Sequence, residues 1–250
     1  MKLEPADRTM LIERNTVIPM LIIGVLFFVF GFVSWVNAIL IPYFKIACEL
    51  TNFQSYLVAF AFYISYLIIS VPSGFMLKRT GFKKGIMIGL WIMAAGAFIF
   101  VPAAFLRTYW VFLVGLFSLG AGLAILQSAA NPYITILGPI EKATQRFSIM
   151  GICNKGAGIL APVIFAAIIL RPTDTELFKS LDFMTAIEKS RQLDQLLLRV
   201  VIPYTVVGTV LFLLGIMVRY SPLSEIDTER ENAATPGFNA SETHIFQFPF

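Results

Sequence analysis

The 250-residue chain is 58% hydrophobic and only 14% charged, with 24 phenylalanines and a mean hydropathy of +0.80. A soluble domain carries about 25% charged residues, so this composition excludes a soluble globular protein and places the chain in a lipid bilayer. The net charge of +4 is what cationic loops of a membrane protein supply, and it implies no nucleic-acid partner.

The first sixteen residues are polar. Glu4, Asp7 and Glu13 interrupt them, so a cleavable signal peptide is not expected. Charge-free blocks then mark six spans: Val17 to Phe44, Tyr56 to Leu77, Gly85 to Leu106, Trp110 to Leu137, Phe147 to Leu170 and Val200 to Val218, with Lys155 the exception inside the fifth. Each is long enough to cross a hydrocarbon core of about 30 Å at about 1.5 Å per helical residue.

Short-loop cations set the orientation. Lys78, Arg79, Lys83 and Lys84 lie between spans two and three, and Lys142 and Arg146 between four and five. The opposite face has Lys45 and Arg107. The cation-rich side is expected to be cytoplasmic, with both ends of the six-span unit inside.

Between spans five and six, residues 171–199 mix charge signs and are expected outside. Thr173 and Asp174 suggest a cap for one short helix bearing Leu177, Leu181, Met184 and Ile187. After Arg219 an acidic run, Glu225 to Glu231, leads through a polar stretch to Ile245–Phe250, which reads as the threshold of a seventh span. The expected organisation is a cytoplasmic terminus at 1–16, a six-helix bundle at 17–218, and a cytoplasmic linker with a truncated seventh helix at 219–250.

Polar residues inside the spans are expensive to insert and persist when they face protein or water. In span four, Gln127 and Asn131 are four apart and share one helix face, beside Pro132, which removes a backbone donor. Asn131 has a second reading, as a partner for the backbone groups that Pro132 frees. In span one, Asn37 follows Trp35: the pair either joins helices or lines a cavity, where an amide serves sugar hydroxyls and an indole covers a sugar's C–H face. Tyr63 and Tyr66 are weaker candidates, and Gln54 reads as an interfacial residue without a special role. Gly85 and Gly89, Gly120 and Ala124, and Gly156 and Gly158 read as close-packing positions.

Lys155 has no acid within the spans, since Glu49 and Glu141 lie at the edges. It must snorkel towards the inner leaflet, deprotonate, line water, or pair with something outside this bundle. Cys48 and Cys153 form no metal or disulfide pattern, and the sole histidine, His244, lies in the tail. No enzyme activity, cofactor or metal is expected. Six spans, two short cationic inner loops and a long linker indicate one half of a twelve-span transporter.

The segment Gly74-Phe-Met-Leu-Lys-Arg-Thr-Gly-Phe-Lys-Lys84 resembles the loop between spans two and three of the major facilitator superfamily, with Lys78 where an acid is usual. Gln127-Ser-Ala-Ala-Asn-Pro-Tyr133 with Leu137-Gly-Pro139, Asn37-Ala-Ile-Leu-Ile-Pro42, Leu50-Thr-Asn-Phe-Gln54 and Asn154 is similar to its fucose–galactose–glucose permease family, from about Leu26 to Pro222. Gln127, Arg146 and the Asn154 region look most like the glucose/galactose branch.

The resemblance implies an all-α membrane protein: a six-transmembrane-helix bundle corresponding to the N-terminal half of a twelve-helix transporter in a bacterial inner membrane. Its substrate would be a hexose such as glucose, galactose or fucose, moved by alternating access. Asn37, Gln127 and Asn154 would face the sugar, with Trp35 and Asn131 beside them. Its partners would be the lipid bilayer and a missing C-terminal six-helix half, with a co-transported cation left open. The fucose branch resembles a proton symporter with acids in spans one and four, but here those positions are Ala38 and Gln127. Lys155 would then be a fixed charge in place of a bound cation, favouring uniport or some other coupling scheme. The competing readings are a truncated, non-transporting fragment and a six-span half-transporter or channel.

Overall fold

The computed structural model describes residues 5–171 and 173–223; at 5–16, 37–39, 175 and 182 it describes the backbone alone. The acidic run, the start of a seventh span and His244 lie outside the described residues. Eight α-helices follow in order: α1 Pro5–Ala47, α2 Asn52–Thr80, α3 Phe82–Leu106, α4 Tyr109–Ile136, α5 Ala143–Ile169, α6 Asp174–Ser180, α7 Ala186–Arg199 and α8 Val201–Tyr220. No strand occurs among the described residues, and six candidate membrane spans are present. The chain is an all-α membrane bundle.

Helices suit the bilayer because they satisfy their own backbone groups where water is absent. α1 to α5 each keep at least one internal proline, which neighbouring helices make tolerable. The first helix begins at Pro5, ahead of the apolar block at Val17. The long outer connection is not one short helix. Leu177 lies on α6, Leu181 in a 3₁₀ turn, Met184 beyond both, and Ile187 on α7, fully out in solvent. α7 starts at a capping box: Thr185 and Glu188 exchange side-chain and backbone hydrogen bonds.

Since apolar side chains gain little from leaving lipid for a helix interface, close backbone approach has to hold the bundle together. A Cβ at Gly89 on α3 would sit 2.8 Å from the Gly122 carbonyl on α4, and one at Gly96 would sit 2.7 Å from the Leu119 nitrogen. On its other side α3 receives α8, where Gly208 lies under Phe98 and Gly215 under Trp91. α2 crosses α4 with Phe62 and Ser65 over Gly120. α1 crosses α5 where Gly31 meets the Asn154 backbone. The packing reading of Gly85, Gly89, Gly120 and Gly158 therefore holds, but Gly156 has nothing within 4 Å of its Cβ position and packs against nothing.

The half of the bundle next to α6 and α7 closes around aromatics from five helices. Phe100 of α3 stacks on Tyr204 of α8 at 3.9 Å, Phe165 of α5 meets the same tyrosine edge-on, and Phe44 of α1 lies 4.6 Å from Phe112 of α4. α6 and α7 cover this end: Arg199 pairs with buried Asp174 at 2.7 Å, and the Tyr43 hydroxyl donates to the Leu196 carbonyl. Beside them Lys189 and Arg107 pair with Glu49 and Asp194. At the opposite end, the Lys83 ammonium donates to the Ser221 carbonyl and ties the start of α3 to the end of α8.

Candidate functional site

α3 and α4 are the interior helices, with 50% and 61% of their apolar windows buried, whereas α2 and α5 bury 22% and 28%. The open faces of the bundle therefore belong chiefly to α2 and α5, with α1 alongside α5. Exposed polar groups at mid-span have to be sought there and on the uncovered inner half of α4.

Lys155 is twelve residues beyond Ala143 and fourteen before Ile169, the ends of α5. At about 1.5 Å per residue it is about 18 Å from the inner end of its helix, much farther than a lysine stem reaches. Its Nζ lies over the Trp35 ring of α1, 5.8 Å from the centroid, within cation–π range. One turn along α5, a Cβ at Gly158 would stand 2.6 Å from Trp35 Nε1, so the missing side chain lets the indole lie against α5. The indole remains 43% exposed. Among the described residues no carboxylate pairs with Lys155.

Asn154 faces another way. Its Nδ2 donates to the Phe27 carbonyl of α1 at 3.1 Å, beside the Gly31 crossing. Its amide nitrogen is thus engaged in holding α1 to α5. The Asn37 and Ala38 side chains lie outside the described residues.

On α4 the continuous buried run Leu119–Leu126 gives way to half-buried Gln127 and Ser128 and exposed Asn131 and Pro132. The Ser73 hydroxyl of α2 donates to Ser128 at 3.0 Å. Gln127 and Asn131 make no side-chain hydrogen bond among the described residues, so Asn131 does not satisfy the backbone groups around Pro132. One turn on, the Thr135 hydroxyl donates back to the Pro132 carbonyl at 2.6 Å. Gln127 and Asn131 offer free amides. Trp35, Asn154 and Lys155 converge where α1 crosses α5; no bond joins the α4 amides to them. On α2, Tyr63 is exposed and Tyr66 half-buried near mid-span.

Two polar residues have roles that sequence reading missed. Arg146 is not a free loop cation: it is 5% exposed, and its guanidinium donates to the Ile134, Thr135 and Pro139 carbonyls at 2.9–3.0 Å. It satisfies acceptors that the end of α4 leaves without donors. Gln54 completes a capping box with Thr51, accepting from the Thr51 N–H at 2.9 Å. The Thr-x-x-Gln and Thr-x-x-Glu spacings were both available as signals. A groove of about 310 Å³ between α1, α5 and α8, lined by residues such as Phe28, Phe32, Ile168 and Val206, is wholly apolar and offers a hydroxyl-rich solute no partner. No three metal-ligating side chains cluster among the described residues.

The profile of the Major Facilitator Superfamily matches residues 23–240, and the chain belongs to that superfamily of transporters. It is 35% identical over 234 residues to the L-fucose-proton symporter of Escherichia coli K12, covering 93% of this chain and 53% of the symporter. It is 42% identical over 158 residues to a glucose/galactose transporter of Brucella abortus, covering 63% of this chain and 38% of that protein. A crystal structure of the superfamily transporter FucP in the outward conformation superposes with a TM-score of 0.73 and 34% identity, over 85% of this chain and 51% of that one. The chain spans about half the length of the curated relatives it matches.

Proposed function

We propose that this major facilitator chain is the N-terminal half of a sugar permease, which moves a hexose such as glucose, galactose or fucose across a bacterial inner membrane by alternating access. The carrying observation is a mid-span aromatic–polar surface left open by the bundle: the Trp35 indole against Gly158, with Lys155 over it. The free Gln127 and Asn131 amides on α4 are the second polar feature at mid-span. An indole covers a sugar's C–H face, and amides take its hydroxyls. The names and the colinear match of the relatives support the same reading.

In this account the facing wall comes from a C-terminal six-helix half, and both ends of the unit are cytoplasmic. Sugar recognition falls to Trp35, Gln127 and Asn131, with Asn37 a further sugar ligand on the strength of the family resemblance. Asn154 positions α1 against α5. Gln127 and Ala38 carry no titratable group where the fucose branch has acids, so these two positions recognise sugar without relaying protons, whatever cation the full transporter uses.

Uptake of a labelled sugar panel by cells carrying the complete gene tests the reading. Saturable uptake of at least one hexose is expected. Absence of uptake of every hexose would overturn it and favour the non-transporting fragment.

A further inference from the structure

Lys155 is a positive charge at the centre of a span, and the described part of the bundle gives it no counter-ion. Among the described residues, the acids nearest the bundle are paired or remote. Glu49 pairs with Lys189 at the outer end, Asp174 with Arg199, and Asp194 with Arg107. Glu141 precedes α5 at the inner end. An aromatic face offsets only part of the cost of a bare ammonium at that depth. The charge is nonetheless aimed at the most exposed indole face at mid-span, and Gly158 fixes that indole in place.

We propose that the counter-charge arrives with the substrate, and that the site takes a carboxylated hexose, a hexuronate, in preference to its neutral parent. A single pyranose can meet both groups. Its C–H face lies on Trp35 while its C6 carboxylate accepts from the Lys155 ammonium, which leaves the ring to meet it. Charge-assisted bonds of this kind are stronger than neutral ones and gain further where water is excluded. The inference rests on the sugar reading and narrows its substrate class.

The test uses the complete gene product in cells lacking other uptake routes, with labelled galactose and labelled galacturonate as probes. Wild type is expected to favour galacturonate by about tenfold or more in apparent affinity, the ratio that about 1.4 kcal/mol confers. Lys155→Met should abolish that ratio, with its folding read separately as the yield of monodisperse detergent-extracted protein; Lys155→Arg should keep it. Galactose uptake with no galacturonate preference, or a preference that survives Lys155→Met, overturns this inference alone. If no sugar of a hexose panel is carried, the sugar reading falls and this inference with it.

Discussion

The Asn154 amide donates to the Phe27 carbonyl across the α1–α5 crossing, one residue before Lys155 takes up its place over Trp35. The crossing therefore places the indole and the ammonium, and Asn154 acts on the site through geometry. Asn154→Ala should cost about 1 kcal/mol of stability, in the range measured for hydrogen bonds between membrane helices, and should lower the thermal unfolding midpoint in detergent. An unchanged midpoint together with weakened sugar affinity would instead make Asn154 a direct sugar ligand.

Arg146 carries a larger share of the fold. Arg146→Met leaves the Ile134 and Thr135 carbonyls without their donor, while Pro139 keeps the Lys142 N–H, and a cost of about 2–3 kcal/mol is expected for buried acceptors of a charged donor. Arg146→Lys, with a point charge in place of a fork, should recover only part of it. Equal stability of wild type and Arg146→Met by thermal unfolding would contradict this.

The glycines divide sharply. Gly89→Leu forces a side chain into the Gly122 carbonyl and should sharply lower the yield of folded protein. Gly156→Leu meets open space in this bundle and should leave folding of the 250-residue chain intact. Detergent-extracted monodisperse yield reads both. The same outcome for the two variants would refute the α3–α4 crossing.

Glu188 gives the outer connection a pH dependence. The Thr185 hydroxyl and backbone N–H hold its carboxyl below the ordinary carboxylate range. A depressed folded value means that the cap's contribution is complete above the ordinary carboxylate pKa and is lost as pH falls through the depressed one. The unfolding midpoints of wild type and Glu188→Gln should differ at neutral pH and converge as pH drops below about 4. A pH-independent difference would exclude a role for the carboxylate charge.

Much of this architecture was legible in the sequence because charge-free blocks of span length report directly on the bilayer. The mid-span polar residues were legible for the same reason: each is anomalous against lipid. Contacts between spans were not. Gly31 is a lone glycine in a Phe-rich run, and only its crossing with Asn154 on α5 shows what it is for; its spacing of seven from Gly24, which faces Cys153 and Met150, was the available hint. Arg146 reads as one more inside-loop cation until the carbonyls around it are seen. Lys155 is legible as a lone charge in an apolar block, but its place at the middle of α5 depends on where that helix begins, at Ala143.

The orientation inferred from loop cations is open to direct labelling. With Cys48 and Cys153 replaced by serine, a cysteine at Ser190 should react with a membrane-impermeant maleimide on intact cells, and one at Lys78 only after the membrane is opened. The reverse pattern would invert the topology.

The central claim is that the Trp35 face of this half recognises sugar. The most direct measurement is the concentration dependence of labelled hexose uptake by the complete gene product, wild type against Trp35→Ala, at matched membrane abundance. A loss of about tenfold or more in apparent affinity is expected, since the stacking platform is removed while Asn154 still holds α1 to α5. Identical uptake curves for the two proteins would contradict the account.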